Sequence, residues 1–510
     1  MSEKERNSTP TEYDKRDVRV GDEEVAGSRI ADHAEERRLV HKLDRTIIPL
    51  TCLLYLFAYL DRSNLGNARL QGLPEDALRG DPTGEIFDWV NSAFFFSYII
   101  FQLPSNLCSK LIKPRLFMAA SAVGWGTVST LMATAYNSAG LITARVFLGF
   151  FEACFGPAIP LYYSLFYTKH ETGLRMALWF GFAAVAGAFG GLIAYGVQQA
   201  SIPFSNWRLL FIVEGIPTVL LGFLTLCLLP NRPESTSFLN ERERKIAIER
   251  MNRGTKADVG LTVNKGESTL LKQICFGTDG MDIPAHVLMG LKDWRVYAGG
   301  VIFFAMNCSL ASITAFLPTF IKSWGYSNAT AQLLTVPPYA VAATVLTLLS
   351  IASDRLQSRG TFMAGASALG GVGYALLLSV HDNNRVKYFA AFCICSGTYT
   401  TIGIIIAWYA HNLGSESKKA TGIPMFMAIG QCGSVLGSHL FPSSQGPHYT
   451  KGFAVSCALE FLAVLCIATL SISYRLENRA RDRKYGKPIP DASVDTSVLA
   501  DKAQNFRYVP

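Results

Sequence analysis

The chain has 510 residues, half of them hydrophobic and only 17% charged, with a formal net charge of +8. That charge content lies well below the roughly 25% of a soluble domain, and the apolar residues gather into segments of about 20, the length that crosses a hydrocarbon core. A soluble globular fold is excluded, because too little polar chain remains to wrap so many apolar segments.

In chain order, residues 1–45 are polar and charged, and are expected to form a disordered arm without a cleavable signal. Twelve spans follow, near 46–66, 87–108, 116–135, 139–162, 175–199, 209–229, 295–320, 329–352, 361–380, 386–410, 419–441 and 452–474. The longest internal polar stretch, 230–294, carries a charged helical patch, NERERKIAIER (240–250), and divides the spans six and six. The expected domains are therefore bundles at 46–229 and 295–474, a linker at 230–294 and a cytoplasmic tail at 475–510, disordered after about residue 485. The predicted fold is an all-α membrane protein of twelve helices in two six-helix bundles, the plan of rocker-switch transporters.

Most Lys and Arg fall in the arm, the linker, the tail and alternate loops. The positive-inside rule then puts both termini in the cytoplasm. The net charge needs no nucleic-acid partner, since basic runs such as Arg37-Arg38 suit an anionic inner leaflet. The eleven cysteines lie mostly within spans and lack zinc-ligand spacing, so buried inert thiols are expected. No metal or cofactor is implied, and no nucleophile–base set or nucleotide loop points to an enzyme.

Four ionisable residues sit where lipid should be: Asp61 and Arg62 in span 1, and Arg145 and Glu152 in span 4. Each costs roughly 2.5–3.5 kcal/mol at the centre of a membrane helix on insertion scales. Such groups pair around a water-filled path and handle ions, protons or charged solutes. Arg145 and Glu152 are seven residues apart, two turns on one helical face. In this reading Arg62 and Arg145 bind an anionic substrate, and Asp61 and Glu152 carry protons. Burial and a neighbouring arginine act on a carboxyl in opposite senses, which allows proton exchange near physiological pH. The structural alternative is an Asp–Arg clamp between spans 1 and 4. Importing a monoanion at −100 mV costs about 2.3 kcal/mol, which one co-transported proton cancels.

The loop SDRLQSRG (353–360) between spans 8 and 9 matches the position of SKLIKPR (109–115) between spans 2 and 3. With the six-plus-six layout, Asp354, Arg355 and Arg359 resemble the inner-loop motif of the major facilitator superfamily. YLDRSNLGNA (59–68), RVFLGFFEACFGPAIP (145–160), NWRLLFIVEGIP (206–217) and SQGPHY (444–449) narrow the resemblance to the anion:cation symporters, and within them to the fungal allantoate permease-like branch. The resemblance covers residues 40–475. It implies proton-coupled symport of a small carboxylate such as a vitamin or ureide, at the plasma membrane, by a monomer. It also implies that Gln431, where the family often has Asn, contacts substrate.

Phe95, Tyr98, Asn307, Tyr339 and Trp408 are candidate cavity-lining residues. Glu214 is expected to pair locally with Arg208, and His439 and Glu460 to be structural or cavity-edge groups. Asn328 heads a glycosylation sequon, Asn328-Ala329-Thr330, in an expected outer loop. Two other function classes compete: a proton-driven exporter and a non-transporting nutrient sensor. Span 5 reads Gly187-Ala188-Phe189-Gly190-Gly191 where exporters of this superfamily carry a proline, which weighs against export.

Overall fold

The apolar segments fold as helices, as they must in a medium where each backbone group needs an internal partner. The computed structural model describes residues 12–201, 203–254, 283–414, 416–487 and 499–510, and among them there is no strand. The first half contains α1 (Glu12–Arg69), α2 (Leu73–Ala77), α3 (Glu85–Leu111), α4 (Pro114–Met132), α5 (Ser138–Phe155), α6 (Ala158–Tyr163), α7 (Lys169–Gln198) and α8 (Asn206–Leu228). Two helices, α9 (Glu241–Gly254) and α10 (Ile283–Lys292), lie between the bundles. The second half contains α11 (Trp294–Ser323), α12 (Asn328–Leu333), α13 (Val336–Leu356), α14 (Arg359–Ser379), α15 (Asn384–Asn412), α16 (Glu416–His439) and α17 (Thr450–Tyr485).

The spans are α1, α3, α4, α5 with α6, α7, α8, α11, α12 with α13, α14, α15, α16 and α17. Among the described residues, nine helices are long and apolar enough to cross a membrane by themselves; α3, α4 and α16 are not in that set. In α3 and α16 the polar content is used where the two helices meet. There Asn91 Nδ2 donates to Ser438 Oγ (2.9 Å) and His439 Nε2 lies 3.2 Å from Ser92 Oγ.

The halves repeat one packing plan. In the first bundle α1 packs on α7, α3 on α5 and α4 on α8. In the second, the equivalent pairs are α11 on α16, α13 on α15 and α14 on α17. The seam joins α7 to α13, α3 to α16 and α1 to α11. At the last of these Gly66 is required, because a Cβ there would lie 2.5 Å from the Ala315 carbonyl oxygen.

We call inner the face that carries α9 and residues 499–510. At the outer end the seam is closed. Arg69 Nη2 donates to Ser443 Oγ (2.7 Å), Gln332 Nε2 to the Asn67 carbonyl (3.3 Å) and Asn328 Nδ2 to the Leu70 carbonyl (2.9 Å). The Asn328 amide is thus part of the seam.

Two polar regions depart from the expected disorder. Helix α1 begins at Glu12, and its inner part docks on α9 through Glu35–Arg242 (2.9 Å) and Lys42–Glu243 (2.8 Å). Residues 499–510 dock on the second bundle, with Tyr508 and Asp501 buried. The arm before residue 12 and residues 488–498 lie outside the described residues.

Candidate functional site

Four helices line a narrow pocket on the seam. Each contributes a stripe at helical spacing: Tyr59, Arg62 and Gly66 from α1; Asn91 and Phe95 from α3; Asn307, Leu310, Ala311 and Thr314 from α11; Gln431 and Ser434 from α16. The wall is mostly neutral, with amides from three helices and one guanidinium, Arg62.

Arg62 faces the pocket and is tied behind it. Its Nη2 is 2.6 Å from Glu152 Oε2, and its side chain keeps 17% exposure against 1% for Glu152. Its guanidinium lies over the rings of Phe94 (4.8 Å), Tyr98 (5.2 Å) and Tyr59 (5.9 Å), which fix its direction. The Asn137 side chain caps α5 by accepting from Gly140 N at 2.8 Å, and this start sets the depths of Arg145 and Glu152.

Asp61 turns the other way. Consecutive helical residues point about 100° apart, so while Arg62 faces the pocket, Asp61 enters the first bundle and accepts from Ser129 Oγ at 2.5 Å. Three residues on, Asn64 donates to Glu214. Glu214 therefore does not pair with Arg208, which is taken by Asp76 at 3.1 Å. Arg145 is fully buried; its Nε and Nη2, one oxygen each of Asp61, Glu152 and Glu214, and Asn64 Oδ1 find no hydrogen-bond partner. The clamp between spans 1 and 4 is Arg62–Glu152, and Asp61 is bound to span 3 instead.

The other expected residues divide. Phe95, Asn307 and Gln431 line the pocket, and Tyr98 touches it only through Arg62. Tyr339 packs edge-on against Tyr399 (5.9 Å), whose hydroxyl is 2.8 Å from that of Tyr59. Trp408 lies at the inner face and donates to the Val509 carbonyl (2.7 Å), so it is not a pocket residue. Arg359 pairs with Asp354 (2.7 Å) beside Gly173 of α7, while Arg355 is exposed. Glu460 accepts from Ser367 (2.9 Å) and Thr398 (3.0 Å) inside the second bundle.

Tyr59, Asn91, Thr314 and Ser434 are pocket residues that the sequence reading omits. The signal was the spacing: three to seven residues separate each from another polar or aromatic lining residue on its helix.

The Major Facilitator Superfamily profile matches residues 51–474. The chain belongs to the major facilitator superfamily. It is 32% identical to the "Major facilitator-type transporter hxnP" of Emericella nidulans, over 96% of each chain. It is 30% identical to the "High-affinity nicotinic acid transporter" of Saccharomyces cerevisiae, over 94% of this chain and 85% of that one. Its fold matches the xylose transporter XylE from E. coli in a partially occluded inward-open conformation (TM-score 0.64, 13% identity), over 84% of this chain and 98% of the other. The protein is a multi-pass membrane transporter of this superfamily and not an enzyme, and its substrate is a small molecule.

Proposed function

We propose that the protein imports a small organic anion together with protons, by alternating access, at the plasma membrane and with its inner face toward the cytoplasm. The observation that carries this reading is the Arg62–Glu152 pair in the pocket wall. A guanidinium in a neutral wall is a docking point for a carboxylate, and its planar fork can bind one with two hydrogen bonds. While Glu152 is ionised it competes for Arg62. A proton on Glu152 removes the competitor and frees Arg62 for the substrate. After release, loss of the proton restores the pair. Substrate and proton are thereby bound in sequence on one switch, while Asp61 and Arg145 set the charge balance behind it.

The remaining wall suits a small carboxylate with a polar or aromatic body, which Asn91, Asn307, Gln431, Tyr59 and Phe95 would meet. The relative named for nicotinic acid agrees with that class. In this reading 46–229 and 295–474 are the moving bodies of a monomer.

The test is radiolabelled uptake in a permease-deficient yeast, over a panel of small carboxylates at pH 5 and pH 7, with and without a protonophore. Accumulation of one anion, stronger in acid and collapsed by the protonophore, is expected. No uptake of any carboxylate by protein present at the cell surface would overturn the reading.

A further inference from the structure

Residues 499–510 run across the inner face of the second bundle and touch five of its helices. Two asparagines hold the chain from opposite sides. Asn478 of α17 donates to the Tyr508 carbonyl (2.7 Å) and accepts from the Tyr508 amide (2.9 Å). Asn412 of α15 does the same for Val509, at 2.9 Å and 2.8 Å. Neighbouring residues of an extended chain face opposite sides, so the two amides grip consecutive peptide units from two helices. Gly360 N of α14 donates to the Pro510 main-chain oxygen (3.2 Å).

The side chains close the same site. Tyr508 stacks on Tyr474 of α17 (4.7 Å, 18° between rings), and its hydroxyl accepts from Arg295 of α11 (2.8 Å). Asp501 accepts from Lys418 of α16 (2.7 Å) and pairs with Arg295 (3.4 Å). Arg481 donates to the Asp501 and Phe506 carbonyls, at 2.8 Å and 3.0 Å. Gly414, between α15 and α16, has φ +74°, and a Cβ there would collide with the Asp501 backbone. The close approach therefore needs glycine at that position.

We infer that the inner face of the second bundle is a peptide-binding site whose ligand is residues 499–510, and that the seated segment straps the inner ends of α15 and α16 to α11 and α17. Reciprocal amide pairs, a buried ion pair shared by two helices and a stacked ring make the contact specific for this stretch. While it is seated, α15 and α16 cannot part from their neighbours, so the inner end of this bundle moves as one body. This inference rests on the fold and contacts alone, and it stands or falls separately from the anion reading.

Hydrogen–deuterium exchange on the full-length protein in lipid nanodiscs tests it without a substrate. In the unaltered protein the Tyr508 and Val509 amides should exchange at least tenfold more slowly than in a free peptide of sequence NFRYVP. In Asn412→Ala/Asn478→Ala that protection should vanish. Residues 405–414 and 416–422 should then exchange at least tenfold faster, while 428–439 at the outer end of α16 stays unchanged. Asn478→Ala alone, which leaves the α15 grip in place, covers the case in which the double variant fails to fold, with the same changes in smaller degree. Free-peptide exchange of 508 and 509 in the unaltered protein would remove the site. Unchanged exchange at 405–414 once the segment is released would remove the strapping role.

Discussion

In the first bundle, Asp61, Arg145, Glu152 and Glu214 are all buried within α1, α5 and α8. In the second, among the described residues, the buried charged groups lie at the inner face, except Glu460 in α17. The first set mixes three acids with one guanidinium and leaves oxygens and N–H groups unpaired. Glu460 instead has hydroxyl donors on both oxygens. A carboxyl beside a cation can change partner when it changes charge; one surrounded by hydroxyls in an apolar bundle is most cheaply kept in one state. In the proposed mechanism the switching chemistry therefore falls to the first bundle.

The largest test of that contrast is Glu152→Gln. A proton-coupled carrier gains about a factor of ten in accumulation per proton for each pH unit, so a gradient of two units supports roughly a hundredfold. The variant should lose all of it in proteoliposomes loaded with a pH gradient, yet still exchange labelled for unlabelled substrate. Full pH-driven accumulation would take Glu152 out of the coupling step. Arg62→Lys comes next. Lysine keeps the charge but not the fork, and a charge-assisted hydrogen bond is worth about 1.5–3 kcal/mol. KM should rise roughly tenfold or more in uptake assays; an unchanged KM would place the anion elsewhere.

Much of this was legible in the chain. Span lengths gave the two bundles, and the rarity of charge in membrane helices singled out Asp61, Arg62, Arg145 and Glu152 together. Helical geometry set Asp61 and Arg62 about 100° apart, but only the fold chose which of them faces the pocket. Side-chain partners across helices were not legible. Arg208 could reach either Glu214 or Asp76, and only the fold chose Asp76. Trp408 and Tyr339 are aromatic residues in apolar helices, and nothing in their neighbours encodes helix rotation. The docking of 499–510 was hidden for another reason. Its contacts reach as far as Arg295, more than 200 residues back, and are mostly polar, so the segment reads as solvated coil.

Glu460→Gln should give a small effect, and here the contrast could break. Glutamine can meet Ser367 and Thr398 with little change of shape. Stability should fall by under about 1 kcal/mol, and the pH dependence of uptake should not move. Loss of proton-driven accumulation in this variant would mean that the second bundle also carries coupling chemistry.

The smallest effect is expected at the outer rim, where Asp76 of α2 clasps the start of α8. Against a modest cost of burial, hydrogen bonds from Ser205 (2.9 Å) and Trp207 (2.9 Å) and the Arg208 pair hold its carboxyl below the usual range. A lowered folded value means that the ionised form favours the folded state. The contribution is full above the ordinary carboxylate value of about 4 and is lost as pH falls through the lower folded value. Because the clasp is part-exposed, its worth is at most about 1 kcal/mol. Asp76→Asn should therefore lower the melting temperature slightly and equally at pH 7 and pH 5, and the gap to the unaltered protein should close below about pH 4. Uptake at pH 5 relative to pH 7 should be the same in both. A gap that opened between pH 7 and pH 5 would show that the rim contributes to the acid response, which would then no longer belong to the buried first-bundle acids alone.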